Sequence, residues 1–553
     1  MTRLALLAVF ALVLHACAGG TGSEADQDGG GGTDAGSADA GGSDAGGSIE
    51  DAGTDAGPAK PATTDYFIVH GDGLGEAAAQ YAAYREETGF KTEVHALSDL
   101  VADPTSASEL AGVLHTVLAE AREKLDEKRE LFLLVLGDAP ATGGTTDGTI
   151  PAAVCESNLG ECVTDNVYAD LDGDALPDLA VGRVPAATAE DALSYLQKLR
   201  THESTYKTGL WNRRIALYTG QGGFGDEIDS FIEYMVMKAL SEMNHSFDVI
   251  GAYDNPNSPY YYMPFESKVV DLFNDGSILT VYIGHGYSEG MTGLSVEQLG
   301  QIHCSTRLPV ALFFACSTGE YANPEVSIAE AIVLKPDGAV ASMGASGISH
   351  PYGNAVLSYE MQRAAMNSKP DTVGEVILKM KRQSMEHTDE FREIVDEFAV
   401  TSGVPKEEQE LTRRQHVDLY NLFGDPAAAM NYPRRNCDLT PGAGGSMASG
   451  KVTVSAKTTG FASGKAYVTL EANRDKIIHE PAPVDPDNPD EKTVQENWKK
   501  AVDKVVVGKE VAVSGGVFET DLEVPAGLPE GKYFIKVYAD DGATDCYGST
   551  EAP

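Results

Sequence analysis

Two stretches decide how this chain reads: Gly276 to Ser288, GSILTVYIGHGYS, and Leu308 to Glu320, LPVALFFACSTGE. In each, an apolar, β-prone run ends among small residues on one reactive side chain, His285 in the first and Cys316 in the second. Runs of this kind are buried strands, and in an open α/β sheet reacting groups gather beyond the carboxyl ends of the strands. A histidine and a cysteine at neighbouring strand ends make an activated thiol. The imidazole takes the thiol proton, the thiolate attacks a carbonyl carbon, and the imidazolium protonates the leaving amine. Taken singly, a strand-end cysteine is usually a small buried hydrophobe and a lone histidine is structural. Their shared setting lifts the pair above that. Gly284 and Gly286 flank the histidine, Ala315 and Ser317 the cysteine, so backbone amides can come close to a substrate oxygen.

Outward from this pair the pattern is βαβ. Strands are expected at Tyr66–His70, Lys91–Leu97 and Leu131–Leu136, with helices at Glu76–Glu87 and Ala107–Leu125 between them. After a helix near Thr188–Leu199, further strands follow at 214–219, 247–253, 278–283, 308–315 and 339–343. Ser295 with Gln298 and Ser327 with Glu330 form capping boxes, which leaves Tyr287–Leu294 and Ser317–Val326 as loops beside the pair. Beyond Pro433 the strands Val452–Ser455, Lys465–Leu470, Val505–Val513, Gly516–Val524 and Lys532–Tyr538 indicate a small β-sandwich, interrupted by a Pro- and Asp-rich excursion from Pro481 to Pro489.

At the other end, Leu4–Leu14 is apolar but too short for a membrane span, which needs about 20 residues. Leu14-His15-Ala16-Cys17 resembles the lipobox of bacterial lipoprotein signal peptides, with Cys17 as the lipid-bearing residue; His15 departs from the small residue usual there. Ala18 to Ala62 repeats Asp-Ala-Gly units and buries too little apolar surface to order, so it reads as a tether. The expectation is an exported chain, lipid-anchored to the bacterial envelope at the outer membrane or cell surface. With 84 acidic against 41 basic residues, a net charge of −43 argues against nucleic acid as a partner.

Seven cysteines in an exported chain need accounting. Cys155 and Cys162 are expected to pair within a loop, and Cys437 with Cys546 to bracket the C-terminal segment. An extended Leu308–Ala315, at about 3.3 Å per residue, would hold Cys304 and Cys316 more than ~20 Å apart, beyond the ~7 Å that a disulfide spans. Cys316 is therefore expected to be a free thiol. Separately, Asp170, Asp172, Asp174 and Asp178 stand at positions 1, 3, 5 and 9 of an acidic turn containing Gly173, which suits Ca²⁺ as a structural ion; Val181 at position 12 excludes an EF-hand. Gly71-Asp72-Gly73-Leu74-Gly75 with Glu93 has the wrong spacing for a dinucleotide fingerprint. No organic cofactor is expected.

The Val181-Gly182-Arg183 segment, the pair and Asn421-Leu422-Phe423-Gly424-Asp425-Pro426, in this order, resemble the gingipain family of cysteine peptidases over Asp65–Pro433. The resemblance implies a caspase-haemoglobinase-like fold of two α/β subdomains followed by an immunoglobulin-like domain. It divides the chain into a signal peptide (1–17), a tether (18–64), peptidase subdomain A (65–205), catalytic subdomain B (206–433) and the β-sandwich (434–553). It implies Cys316 as nucleophile, His285 as general base and acid, and the amides of Gly286 and Cys316 as the oxyanion hole. Where arginine-specific members carry a glutamate to orient the histidine, this chain has Gln221, with Asp226 or Glu227 as substitutes. Asp229, or else Asp226, is the counterpart of the acidic residue in the P1 pocket, which implies Arg or Lys before the scissile bond. The function implied is a surface-tethered endopeptidase acting on protein or peptide substrates. The alternatives are sortase-like transpeptidation by the same dyad, or an inactive peptidase-like domain serving in binding or adhesion.

Overall fold

The computed structural model describes residues 63–553 except 127, 141–145, 224–225, 402, 434–438 and 486–487. The expected signal peptide, Cys17, nearly all of the tether and Cys437 lie outside the described residues. Among those described, no helix is long and apolar enough to cross a membrane.

Strands β1 (Tyr66–His70), β2 (Thr92–Ala96) and β3 (Phe132–Leu136) precede a hairpin of β4 (Ala153–Ser157) and β5 (Gly160–Thr164), and β6 (Ala180–Val184) ends the first half. The second half supplies β7 (Arg214–Thr219), β8 (Asp248–Tyr253), β9 (Leu279–Ile283), three two-residue strands β10 (Gly286–Tyr287), β11 (Gly290–Met291) and β12 (Leu294–Ser295), then β13 (Val310–Phe314), β14 (Ala341–Ala345) and β15 (Tyr420–Phe423). Ten of these form one sheet in the order β2-β1-β3-β6-β15-β14-β13-β9-β7-β8. Every residue of β1, β3, β13 and β14 is buried, as continuous apolar runs in a sheet covered on both faces require. The expected Tyr287–Leu294 loop is in fact the small β10-β11-β12 meander, and the loop holding Cys155 and Cys162 is the β4–β5 hairpin.

The two halves run in opposite directions. β15 is parallel to β6 but antiparallel to β14, while β7, β8, β9, β13 and β14 are mutually parallel. The carboxyl ends of β9 and β13 therefore lie at one edge of the sheet and that of β1 at the other. The Gly71–Gly75 turn is thus remote from His285 and Cys316. A Cβ on Gly71 would fall 2.7 Å from the Gly148 carbonyl carbon, so this glycine permits loop packing.

The seam between the halves is built from the two short motifs in Val181–Arg183 and Asn421–Pro426. A Cβ on Gly182 would stand 2.6 Å from the Gly424 oxygen, and the Gly424 amide donates to the Arg183 carbonyl at 2.7 Å. The fully buried Arg183 grips both Asp165 oxygens, at 2.8 and 2.7 Å, and donates to the carbonyls of Gly137 and Ile150. Arg85 does the same for Asp425, at 2.9 Å, and for Glu203. Buried guanidinium–carboxylate pairs of this kind offset the cost of desolvation through close, charge-assisted hydrogen bonds.

Strands β16 (Leu439–Ser446), β17 (Lys451–Thr458), β18 (Ser463–Ala472), β19 (Val505–Ser514), β20 (Val517–Glu523), β21 (Tyr533–Asp540) and β22 (Asp545–Glu551) make a second, antiparallel sheet. Gly515 and Gly516, both at positive φ, form the tight turn between β19 and β20. β16 and β22 come into contact, folding the sheet over Val452, Val468, Leu470, Ile535 and Val537. After the Pro-rich excursion comes a helix, Glu491–Val502, whose Trp498 donates to the Gly251 carbonyl at 2.8 Å. Arg474 donates to the carbonyls of Leu240, Met243, Asn244 and Phe247, tying this unit to the helix Asp226–Glu242 and the turn after it.

Candidate active site

β9 and β13 are neighbours, with Ile283 paired to Phe314. His285 and Cys316 each come two residues after that pair, so the register alone brings them to the same level. The chains stay together past the strands. The Gly284 amide donates to the Phe314 carbonyl at 3.4 Å, and a Cβ on Gly286 would lie 2.8 Å from Ala315 Cβ, from the Cys316 oxygen and from Thr318 Cγ2. Only glycine lets the histidine loop press this closely on the cysteine loop. Tyr282 Oη fixes the loop from below, donating to the His285 carbonyl at 2.7 Å. On the other side Ser317, at φ 59, turns the chain sharply off β13, its amide donating to the Gly347 carbonyl at 2.8 Å.

His285 is exposed, and Cys316 is a partly exposed free thiol; Cys304 is also free but buried, and burial pushes its thiol up to about 12. His285 Nε2 lies 2.8 Å from the Gly222 carbonyl oxygen. The loop expected to orient the ring does reach it, but through a main-chain oxygen next to Gln221, whose side chain is exposed. Gly223 has φ +73, and its amide donates to Asp229 Oδ2 at 3.1 Å, so Asp229 braces the strip of chain that meets the imidazole. The side chains of Asp226 and Glu227 lie outside the described residues.

The sulfur has neighbours that sequence reasoning missed. Cys316 Sγ is 3.5 Å from the Ser349 carbonyl oxygen and 3.6 Å from Ser349 Oγ. Ser349 accepts from Asn354 Nδ2 at 2.9 Å, and Asn354 Oδ1 accepts from Tyr420 Oη at 2.7 Å. All three side chains are buried. No motif marks a serine in the loop between β14 and the helix Pro351–Gln362; the only available signal was that this loop follows the strand next to β13.

Oxygens of Asp170, Asp172 and Asp174 all lie within 4.8 Å of one another, in the turn before β6 and so at the same edge of the sheet as the pair. Asp178 is apart from them, bound to Arg382 at 3.1 Å and to the Leu171 amide at 2.9 Å. Cys155 and Cys162 form a disulfide, and Cys546 is disulfide-bonded.

Residues 59–431 match the profile of peptidase family C25. The chain belongs to that family, the gingipain-type cysteine peptidases. It is 21% identical over 306 residues to Lys-gingipain of Porphyromonas gingivalis, a match covering 54% of this chain and 16% of that protein, so the chain spans a small fraction of the length of the curated relatives it matches. In fold it is similar to the crystal structure of the Arg-specific cysteine proteinase gingipain R, with a TM-score of 0.51 at 16% identity, over 90% of this chain and 99% of that one. A complex of the Porphyromonas gingivalis RgpB pro- and mature domains gives a TM-score of 0.50 at 16% identity, covering 88% of this chain and all of that one.

Proposed function

We propose that the protein is an endopeptidase that cleaves peptide bonds with Cys316 as nucleophile and His285 as general base and acid. The observation that supports this is the packing of Gly286 on Ala315 and Cys316, together with a register that brings residues 285 and 316 out at one level past the same edge of the sheet. Donation of Nε2–H to the Gly222 carbonyl selects the tautomer whose Nδ1 can receive the thiol proton. The thiolate adds to the scissile carbonyl, and the oxyanion is met by the amides of Gly286 and Cys316. His285 then gives its proton to the departing amine, and water resolves the thioester. A carbonyl dipole stabilises imidazolium less than a carboxylate does, so Gly222 serves chiefly to fix the ring's orientation.

A basic residue before the scissile bond fits Asp229, in the first turn of the helix Asp226–Glu242, which accepts from the Gly223 amide of the loop that meets His285. Asp170, Asp172 and Asp174 would hold Ca²⁺, which would neutralise three clustered carboxylates and brace the start of β6. Asp178 is left to its arginine. The C-terminal sheet is read as an immunoglobulin-like sandwich, and the chain as exported and lipid-anchored through Cys17, which holds the catalytic unit at the cell surface. The test is hydrolysis of Arg-, Lys- and apolar-containing peptides by the wild type and Cys316→Ala. Retained cleavage in the variant overturns the nucleophile, and an apolar preference overturns the role of Asp229.

A further inference from the structure

The Cys316 sulfur faces two atoms of the same residue with opposite effects on its charge. The Ser349 carbonyl oxygen, at 3.5 Å, accepts a proton from a neutral thiol and repels a thiolate. The Ser349 hydroxyl, at 3.6 Å, donates to sulfur, and that bond strengthens when the sulfur becomes negative. Which of the two governs depends on where the hydroxyl proton points. Asn354 Nδ2 donates to Ser349 Oγ and occupies its acceptor side, and Asn354 is held in that orientation because its Oδ1 accepts from Tyr420 Oη. Tyr420 is buried within β15, and burial holds its phenol protonated, so it remains a donor. Donors thus lead from Tyr420 through Asn354 and Ser349 to sulfur, and Tyr420 is itself within hydrogen-bond reach of Ser349.

We propose that Ser349 is a further catalytic residue, donating to the Cys316 thiolate as the thiol proton passes to His285, and that Asn354 and Tyr420 are the positioning residues that aim it. This rests on the reading of Cys316 as the nucleophile. Such a bond lowers the free energy of the thiolate relative to the thiol, so it shifts the pH at which sulfur becomes reactive. The other titratable groups around the sulfur leave that shift visible. Tyr282, beneath the histidine loop, is raised to about 12 by burial; His350, next to Ser349, is lowered by burial; and His416, on the helix Lys406–Leu419, is lowered to about 4 by the same cause. His285 is common to every variant below.

The experiment measures the rate at which iodoacetamide alkylates Cys316 in the full chain as a function of pH, read at that residue by peptide mass spectrometry, with buried Cys304 as an internal control. Ser349→Ala should raise the midpoint by about one unit, making alkylation about ten-fold slower below the wild-type midpoint. Ser349→Thr, which keeps the hydroxyl, should restore the rate, and Tyr420→Phe should move the midpoint the same way by less. Midpoints equal to wild type in Ser349→Ala and Tyr420→Phe overturn the proposal; if Ser349→Ala fails to fold, Tyr420→Phe alone decides. Because alkylation needs no peptide, the two readings fail separately. An unshifted midpoint with an inactive Cys316→Ala removes Ser349 alone, whereas a shifted midpoint with an active Cys316→Ala removes the nucleophile and leaves the hydroxyl contact.

Discussion

Replacing Gly286 by alanine is the most direct test of how the site is assembled. The added methyl carbon would meet three atoms of the cysteine loop at 2.8 Å each, one of them main chain. Non-bonded carbons prefer about 3.5–4.0 Å, so the two loops must separate by about 1 Å before the methyl fits. Overpacking of this sort costs about 1–3 kcal/mol of stability, and a displacement of about 1 Å between reacting groups costs about 100-fold in rate. Alanine keeps the residue 286 amide, so the proposed oxyanion donor survives and the loss measures distance. Gly286→Ala should therefore remain folded, melt a few degrees lower and lose about 100-fold in kcat/KM on a peptide substrate, mostly in kcat. Both readouts are needed, since a merely unfolded variant would lose activity for an uninformative reason. A variant with wild-type melting and activity within about three-fold of wild type would refute the claim that this contact sets the spacing of His285 and Cys316.

Other expectations follow from buried groups. Arg183→Met leaves Asp165 charged and buried without its partner and should cost about 3–5 kcal/mol in urea unfolding; a loss below 1 kcal/mol would mean the seam is held by other contacts. Glu330, which caps the helix Ile328–Leu334, is raised by burial from 4.5 to about 7. The folded state thus holds this proton more tightly than the unfolded chain, so its stabilisation is complete below pH 4.5 and is lost as the pH rises through 7. Glu330→Gln, permanently neutral, should flatten that stretch of the stability curve by up to about 1.4 kcal/mol per pH unit, and an unchanged curve in denaturant titrations at stepped pH contradicts it. Removing divalent ions with a chelator should lower the melting temperature of the wild type and leave Asp172→Asn, already lacking a ligand, unmoved. Equal curves for the wild type with and without chelator would dispose of the Ca²⁺ site.

What could be read before folding, and what could not, divides along physical lines. Most of the alternating strands and helices were legible because central strands such as β1, β3, β9 and β13 are near-continuous apolar runs, so burial writes itself into adjacent residues. β15 was not, because Tyr420–Phe423 is four residues long and pairs with strands far from it in the chain. β16 contains Pro441 and three glycines, and nothing local in Leu439–Ser446 favours a strand; its pairing with β17 does that. At the site, His285 and Cys316 stood out through their positions after apolar runs. The carbonyl of Gly222 and the hydroxyl of Ser349 did not, since a main-chain oxygen carries no residue type and one serine among many carries no spacing. The acidic turn showed its three clustered aspartates by spacing alone, yet spacing could not reveal that Arg382 takes the fourth.

The site and the seam between the two halves share a strand. β15 carries Tyr420 toward Asn354 and Ser349, and the next residue, Asn421, accepts from the Asp165 amide at 3.0 Å, while Asp165 is the carboxylate that Arg183 grips. An unbroken series of hydrogen bonds and one peptide link therefore leads from the buried guanidinium at the seam to the sulfur. This explains why the two short motifs that carry no reactive group nevertheless belong with the pair. Phe423 of the second motif pairs in parallel with Arg183 of the first, while β15 runs antiparallel to β14, and this reversal sets Tyr420 opposite Ala345 at the edge where the carboxyl ends of β9, β13 and β14 lie. The loop that follows β14 stands at that edge because β14 is parallel to β13, and the reversal brings Tyr420 to it. The reactive pair and the loop of Ser349 are thus placed by register among parallel strands, and Tyr420, at the far end of the hydrogen bonds that reach the sulfur, is placed by the antiparallel join of β14 to β15.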